Sequence, residues 1–288
     1  MIEPDAVPTY VLCGVGLGIT VTLTMAMHFI VAPALLLPLW IWPFVAVSAM
    51  LLRRVGHSKI AGGLEGTAMI YGQGLGFLFL LFPLSALSLH FADPSLSRID
   101  RALGFDWAAY TEALKPANPQ LRLAYRSLEW QPALATVALC CSGMESRMWK
   151  FVFASAVALA IAVAIFPFAP AVGPGVYYGF VPLHQTSLGF GEVIQILKDG
   201  QRLVSKDYFV GFISFPSYHA ACAVLLVWAV WPIRWLRWLM LTLNLVMLAA
   251  TPIFGNHYLV DIIGGFVIAV VSIMISQRLF GTLRNARA

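Results

Sequence analysis

The sequence has very few charged residues for its length. Only 11% of its 288 residues are Asp, Glu, Lys or Arg, whereas 60% are hydrophobic. The net charge of +5 lies mostly in short loops and does not form the basic patch of a nucleic-acid-binding protein. This composition predicts an all-α, polytopic integral membrane protein whose main partner is the bilayer and not a nucleic acid.

Other features are also scarce or absent. The four cysteines all fall in apolar segments, and none has the spacing of a zinc site. The short alternating strands typical of a membrane β-barrel do not occur, and no internal repeat is evident. The first residues include Glu3 and Asp5 but no Lys or Arg, so the basic start of a signal peptide is missing.

What is present is a series of apolar runs of about 20 residues, the length that crosses a bilayer core. These runs predict eight spans, at residues 9–29, 33–52, 66–90, 122–142, 150–170, 213–231, 236–253 and 257–278. The first two runs abut, so six or seven spans remain an alternative count. The expected organisation is an N-terminal transmembrane hairpin and cytoplasmic loop over 1–65, followed by a six-helix catalytic membrane domain over 66–288.

The charges of the loops predict an orientation. Basic residues exceed acidic ones in four short regions, at residues 53–65, 145–150, 234–237 and 278–287. These regions alternate so that all four share one side, and their basic excess predicts that this side is cytoplasmic. We therefore expect both termini in the cytoplasm, in a bacterial inner (plasma) membrane. His219, His257 and the two long loops, at about 91–121 and 171–212, would face the periplasm or exterior. The mixture of aromatic, apolar and charged residues from Leu96 to Tyr125 predicts amphipathic helices at the membrane interface.

Asp261 is the only acidic residue inside a strongly apolar segment. His257 precedes it by four residues, a spacing that puts two side chains on one face of a helix within hydrogen-bonding reach. An ionisable group in a membrane span is costly unless it is paired or hydrated, which favours a functional role. A carboxylate behind an imidazole fixes its tautomer and raises its basicity, as a histidine nucleophile or base requires. The alternative is a structural pair that joins two helices.

A second histidine, His219, lies in the segment 214–219 (Ser-Phe-Pro-Ser-Tyr-His), directly before another apolar run. Proline is well tolerated near the start of a helix, and Ser214 or Ser217 can cap that helix. The free N–H groups at such a helix start attract phosphate. An ordinary helix start with an interfacial histidine is the alternative interpretation.

Two histidines at two helix mouths, one of them backed by a carboxylate, make a nucleophile and acid pair suited to phosphoryl transfer. Attack by His257 on phosphorus would give a phosphohistidine, and a protonated His219 would donate to the departing oxygen. Nearby cations and helix-start amides would hold the charge of the transferring group. This scheme requires neither a metal ion nor a cofactor.

At these residues the chain resembles the type 2 phosphatidic acid phosphatase superfamily. The second motif of that superfamily, usually Pro-Ser-Gly-His, is similar to residues 216–219, and its third motif ends in His-x-x-x-Asp, as residues 257–261 do. The segment Phe-Pro-Ser-Tyr-His-Ala-Ala (215–221) is more similar to the inositol phosphorylceramide synthase-like branch. The resemblance covers roughly residues 66–278. It implies a six-helix core, metal-independent phosphoester chemistry and lipid-linked substrates.

The resemblance also implies roles for individual residues. His257 matches the nucleophile of the family, Asp261 its orienting carboxylate and His219 its general acid. Ser217 matches the phosphate-contacting serine of the second motif. Tyr218 stands where the motif has glycine, which makes the phosphate cradle less open.

The phosphate-binding cations of the family are missing. Its third motif begins with Ser-Arg, but Ala250 and Thr251 occupy these positions here, and its first motif, a lysine followed by Arg-Pro, is not present. Lys198 and Arg202 lie in the loop before the second motif and are the predicted substitutes, with Lys206 as a weaker candidate. His184 is a minor candidate for the lining of an entrance in the same loop.

Together these features predict a membrane phosphohydrolase, a lipid phosphate or diphosphate phosphatase that acts at the outer membrane face. One alternative is a head-group transferase that passes the group from His257 to an alcohol. A second is a proton-coupled transporter that uses His219, His257 and Asp261. The sequence determines neither the lipid nor the oligomeric state.

Overall fold

The computed structural model describes residues 3–33, 35, 41–180, 190–204 and 213–287. Within these ranges the chain is almost entirely helical, with one pair of two-residue strands. The elements, in chain order, are α1 (Val7–Ala26), β1 (Ile30–Val31), α2 (Ile41–Arg54), α3 (Ser58–Ala86), α4 (Asp93–Ala102), α5 (Trp107–Leu114), α6 (Asn118–Arg126), α7 (Gln131–Cys141), α8 (Glu145–Ile165), α9 (Pro174–Tyr177), α10 (Phe190–Lys198), β2 (Leu203–Val204), α11 (Tyr218–Val230), α12 (Arg234–Phe254) and α13 (Leu259–Arg287).

Five of the described helices, α1, α3, α8, α12 and α13, are long and apolar enough to cross a membrane. Two further apolar helices, α7 and α11, are shorter. Each of the eight predicted spans overlaps one of these helices or α2. The prediction of an all-α polytopic membrane protein is therefore confirmed.

The predicted span 122–142 is wrong in its extent. The structure divides this run into α6, a 3-10 turn at Ser127–Glu129 and α7. Pro132 lies in the first turn of α7, where it lacks the N–H that would continue the helix from α6. The 11 residues of α7 extend over about 16 Å, roughly half of a hydrocarbon core. The polar first half of the run instead packs on the end of α12.

Helix α8 is the centre of the bundle. Trp149 and Phe151 are fully buried, and Ala154, Ala158 and Ala162 line one face with no exposed surface. Residues four apart lie on the same side of a helix, so these alanines present a flat face that neighbouring helices can approach closely. Helices α3, α11 and α13 pack around α8 and leave the starts of α11 and α13 side by side.

The second long loop folds back onto one end of this bundle. Val193, Ile194 and Leu197 of α10 are fully buried against Phe77 and Phe82 of α3. The parallel pair β1–β2 joins the chain after α1 to the chain after α10, with Ile30 opposite Leu203. The segments that lead into the two long loops contact each other, since the Leu89 and Ala92 amides donate to the carbonyls of Pro167 and Pro170. Both loops therefore lie at the same end of the bundle.

The first of these loops forms helices α4, α5 and α6, as its amphipathic pattern predicts. Trp107 Nε1 donates to the Pro252 carbonyl at 2.8 Å, and the Tyr110 hydroxyl donates to the Ala249 carbonyl at 2.7 Å. The Pro252 carbonyl lies in the last turn of α12, where carbonyls have no partner within the helix, so Trp107 satisfies it. Tyr110 adds a contact about one turn earlier on the same helix. Helix α6 packs on the same end of α12 through Leu121.

The close approach of α11 and α13 depends on glycine, as the Gly264-Gly265 pair predicts. A Cβ on Gly265 would lie 2.4 Å from the Ser217 carbonyl oxygen and 2.7 Å from the Ala220 Cβ. Such distances are impossible without movement of the backbone, because the nearest atom belongs to the main chain. Gly265 therefore allows the start of α11, which carries His219, to lie against α13.

We expect Gly265→Ala to lower the free energy of unfolding by about 1–3 kcal/mol, since the new methyl group overpacks the α11–α13 contact. Thermal unfolding in detergent measures this loss. Gly281→Ala is the matched control, because it lies on the same helix and its Cβ would meet no atom within 4 Å. Equal unfolding temperatures for the two variants would contradict this account of the helix contact.

Candidate active site

The His257–Asp261 pair forms at the junction between α12 and α13. His257 Nδ1 lies 3.2 Å from Asp261 Oδ2, and the two side chains are 3% and 0% exposed. The prediction that His257 opens the final helix is wrong by two residues, because α13 begins at Leu259. Asn256 has a positive φ of 54°, and this turn before the helix brings the His257 ring back onto Asp261.

The Asp261 carboxylate holds this ring in place through one oxygen atom. Besides His257, Asp261 Oδ2 accepts the Ser214 hydroxyl at 2.6 Å and the Tyr258 amide at 2.9 Å. The carboxylate is thus an acceptor, and His257 Nδ1 is the nitrogen that donates to it. The proton on Nδ1 leaves a lone pair on Nε2, the nitrogen that faces away from Asp261.

Ser217 connects the second motif to this pair. It is the N-cap of α11, where its Oγ accepts the Ala220 amide at 3.3 Å, so the predicted serine cap is confirmed. The same Oγ lies 3.3 Å from His257 Nε2. The Ser217 amide also donates to the Asp261 carbonyl at 2.9 Å. The first turn of α11 and the first turn of α13 are therefore joined at the histidine.

His219 completes the cluster from the first turn of α11. Its ring centroid lies 6.1 Å from that of His257, with the two rings edge to face. On its other side His219 stacks on Tyr125 of α6, with centroids 4.8 Å apart and planes 17° apart. The structure thus brings together four predicted site residues, His219, His257, Asp261 and Ser217.

The Tyr218 side chain points away from this cluster. Its hydroxyl donates to the Ser155 carbonyl of α8 at 3.3 Å, and its ring packs among core residues. Successive side chains of a helix diverge, so Tyr218 and His219 leave α11 in different directions. Phosphate contact by the Tyr218 hydroxyl would require this hydrogen bond to break.

The predicted cations Lys198 and Arg202 lie against the end of α3 and the segment after α1. Lys198 Nζ donates to the Leu89 carbonyl at 2.9 Å and lies 5.8 Å from the Phe91 ring centre. The Arg202 guanidinium lies 5.0 Å from the Phe29 ring centre and donates to the Leu197 carbonyl. These contacts differ from those of the histidine cluster, and phosphate binding by the two side chains stays a prediction. Lys206 and His184 lie outside the described residues.

Helix α4 anchors the start of α13 through two buried carboxylates. Asp100 Oδ2 accepts the Leu259 amide at 2.8 Å, and Oδ1 accepts the Val260 amide at 2.9 Å. Asp93 accepts the Tyr258 hydroxyl and the amides of Val172 and Gly173. Free amides at a helix start favour a carboxylate, so these contacts fix the turn that carries His257. Acidic residues in a loop ordinarily indicate only a solvated surface. The anchoring roles of Asp93 and Asp100 were therefore not predicted from the sequence.

We expect Asp100→Asn to lower the free energy of unfolding by about 1–3 kcal/mol, because one of the two backbone amides then faces an NH₂ group and loses its acceptor. Thermal unfolding in detergent measures the change. Asp106→Asn is the control, since only Oδ1 of Asp106 caps α5 and asparagine caps a helix equally well. A similar small loss in both variants would contradict the anchoring role.

The same carboxylates give this region a pH dependence of stability. Burial raises the pKa of Asp93 and of Asp100 above 3.8 and outweighs their hydrogen bonds, which act in the opposite direction. The folded protein therefore binds a proton at these sites more readily than the unfolded chain does. Their contribution to stability falls as pH rises from 3.8 to the raised pKa. Asp100→Asn should reduce this fall between acidic and neutral pH.

Tyr125 is the neighbour of the histidines that sequence reasoning missed. Tyr125 ends the stretch that predicts amphipathic, interfacial helices, and it belongs to no motif. Its position beside His219 arises from the packing of α6 on α12, a contact between segments far apart in the chain. Only its place in a helix that is half apolar and half polar could have suggested that α6 returns to the bundle.

Among the described residues, no group of three His, Cys, Asp or Glu side chains is arranged to hold a metal ion. The positions where the family motif has Ser-Arg, Ala250 and Thr251, are fully buried at the end of α12. The Thr251 hydroxyl donates to the Met247 carbonyl of its own helix at 2.8 Å. The groups available for chemistry at this site are thus the two imidazoles, the Asp261 carboxylate, the Ser217 hydroxyl and the Tyr125 hydroxyl.

Comparison with known proteins supports the interpretation of these motifs. A family profile described as the PAP2 superfamily matches residues 94–275, more than half of the chain. The match includes both histidines and Asp261, and it begins in α4. It concerns the superfamily as a whole and does not distinguish its branches. No curated protein and no solved structure shows a significant match.

Proposed function

Because the chain belongs to the PAP2 superfamily, we propose that it is a membrane-bound phosphatase that acts on a lipid phosphate or diphosphate through a phosphohistidine intermediate. Members of this superfamily are in general phosphatases and phosphotransferases. The observation that carries the proposal is the environment of His257, whose Nδ1 is bound to Asp261 while Nε2 faces Ser217. An imidazole held in this tautomer is ready to act as a nucleophile.

In the first step His257 Nε2 attacks phosphorus, and the bond between phosphorus and the lipid oxygen breaks. His219 donates its proton to that oxygen, since an unprotonated alkoxide is a poor leaving group. Asp261 stabilises the positive charge that develops on the His257 ring, as the carboxylate of other histidine-dependent hydrolases does. The two ring centres lie 6.1 Å apart, close enough for both histidines to contact the same phosphoryl group.

In the second step water attacks the phosphohistidine and releases inorganic phosphate. His219, now neutral, accepts a proton from this water, the reverse of its role in the first step. The step returns His257 to the neutral form that is hydrogen-bonded to Asp261. Neither step needs a metal ion or a cofactor in this proposal.

A lipid substrate fits the position of the cluster. The histidines lie at the starts of α11 and α13, and α13 continues from there with exposed apolar side chains such as Val267 and Val270. A phosphate at the histidines can therefore belong to a molecule whose apolar chain follows the surface of α13 into the bilayer. In the predicted orientation the site faces the periplasm or the exterior of an inner membrane.

A head-group transferase is the second candidate, because an alcohol can attack the phosphohistidine in the same way as water. The segment Phe-Pro-Ser-Tyr-His-Ala-Ala, similar to the inositol phosphorylceramide synthase-like branch, is the observation that favours it. The two candidates share the first step and differ only in the acceptor.

The experiment is phosphate release by detergent-purified protein from a panel of lipid phosphates and diphosphates, with a chelator present throughout. The proposal predicts release from at least one lipid, unchanged by the chelator, and a His257→Ala preparation controls for contaminating phosphatases. Addition of candidate alcohols tests the transferase, which would form a new phosphomonoester of the alcohol at the expense of free phosphate. No turnover of any lipid by folded protein, with or without an alcohol, would contradict both candidates.

A further inference from the structure

The Tyr125 side chain lies in the histidine cluster, and its hydroxyl bonds to none of the described residues. The Tyr125 ring stacks on His219, and its hydroxyl lies 3.1 Å from the point where a Cβ on Gly255 would be. His257 Cδ2 lies 2.6 Å from the same point. Because position 255 is glycine, the hydroxyl and the His257 ring can share this space.

A comparison with Tyr110 shows that this hydroxyl is unusual. Tyr110, which packs on the same end of α12, donates its hydroxyl to the Ala249 carbonyl. The Tyr125 hydroxyl forms no hydrogen bond with any described residue, although its ring is stacked and half-buried. Hydroxyls in a partly buried aromatic cluster normally find a partner, so this one, on the ring that stacks on His219, points to a ligand atom.

Arg122, one turn earlier in α6, places a cation near the same end of α12. Its guanidinium lies 5.4 Å from the centre of the Phe254 ring, which in turn contacts Tyr125. Arg122 is exposed and has no carboxylate partner in the described part of the chain. Arg126, on the next turn, is instead paired with Glu129 at 3.2 Å. Of these two arginines, only Arg122 has its charge available for a ligand.

The position of α6 relates these residues to the missing phosphate-binding motif. Ala250 and Thr251 replace the Ser-Arg pair at the end of α12, and Leu121 of α6 packs against Ala250 and Ile253 there. Helix α6 therefore places an arginine and a hydroxyl group at the end of α12, where this chain lacks the Ser-Arg pair of the family. The two side chains lie on one face of α6, because they are three residues apart.

We infer that helix α6 supplies the phosphate contacts of this enzyme, with Tyr125 as a further catalytic residue and Arg122 as a substrate-binding residue. This inference rests on the proposed function. The Tyr125 hydroxyl donates a hydrogen bond to a non-bridging oxygen of the transferring phosphoryl group and keeps its proton throughout. The Nε2–phosphorus bond forms at His257, the bond to the lipid oxygen breaks, and that oxygen receives its proton from His219.

Different kinetic effects follow for the two residues. A donor aimed at charge that develops in the transition state acts on kcat, and its removal typically lowers kcat by about 100-fold or more. A cation at the mouth attracts substrate and transition state alike, so its removal raises KM and leaves kcat nearly unchanged. We expect Tyr125→Phe to show the first pattern and Arg122→Gln the second, with KM raised by about tenfold.

The test uses the full chain in detergent with the lipid that the wild type turns over best. Tyr110→Phe is the matched control for Tyr125→Phe, and Arg126→Gln is the matched control for Arg122→Gln. Unfolding temperatures of all four variants show whether the fold is intact. Inhibition by orthovanadate provides a second readout, because this anion imitates the transferring phosphoryl group and should bind Tyr125→Phe about 100-fold more weakly.

The outcomes distinguish this inference from the proposed function. Turnover by the wild type but not by His257→Ala would support the proposed function. If Tyr125→Phe is then within twofold of Tyr110→Phe in kcat and in vanadate inhibition, the role of Tyr125 is overturned. KM of Arg122→Gln within twofold of that of Arg126→Gln overturns the role of Arg122. If the wild type itself has no activity on any lipid, the proposed function fails first.

Discussion

His257→Ala should abolish phosphate release, with kcat lowered by at least about 10⁴-fold. The alanine removes the nucleophile, and water alone would have to attack phosphorus in a site that still contains His219. The loss should not reflect unfolding, because the carboxylate beneath the ring keeps its bonds to Ser214 and to the Tyr258 amide. The measurement is turnover of the best lipid by wild type and variant at matched unfolding temperature.

A control and a rescue sharpen this expectation. His90→Ala is the matched control, since His90 is exposed in the segment before α4 and should leave kcat within twofold of the wild type. Exogenous imidazole should restore part of the activity of His257→Ala by occupying the space of the lost ring. Activity of His257→Ala close to the wild-type value would exclude a phosphohistidine at this residue.

Asp261→Asn should lower kcat by about 10³- to 10⁴-fold while leaving KM nearly unchanged. An asparagine can keep its oxygen where Oδ2 accepts from His257, Ser214 and Tyr258, so the geometry survives and the negative charge is lost. That charge stabilises the cationic ring only while phosphorus is bonded to His257. The effect therefore belongs to the chemical step and not to binding.

Glu112→Gln is the control for this loss of one negative charge. Glu112 lies in the first long loop and pairs with Lys115 on an exposed surface, so its removal should change kcat by less than twofold. A Ser214→Ala variant adds a second comparison, because it weakens the position of Asp261 without removing the charge. If Asp261→Asn kept most of its kcat, the carboxylate would be a structural anchor and not part of the reaction.

The motifs and most helices could be predicted from the sequence because their signals are local. The apolar runs specify α1, α3, α8, α12 and α13, and the four-residue spacing places His257 over Asp261 even though α13 starts later than expected. Average hydropathy conceals a break at one residue, which is why the run that contains Pro132 was predicted as a single span.

The surroundings of the histidines could not be predicted, because they depend on contacts between distant segments. Asp100 in a polar loop gives no sign that it caps a helix that begins at Leu259. Tyr125 belongs to no motif, and its contact with His219 exists only once α6 packs on α12. The contact of Lys198 with the Leu89 carbonyl likewise joins distant segments, and the charge pattern of its loop does not reveal it.

The most direct test of the account is detection of the covalent intermediate. Purified protein is mixed with a lipid substrate labelled in the transferring phosphate, quenched under denaturing alkaline conditions, in which phosphohistidine survives, and digested for peptide mapping. The account predicts label on the peptide that contains His257, formed as fast as the lipid is consumed and absent in His257→Ala. Steady turnover without any labelled histidine, or label on a different residue, would contradict it.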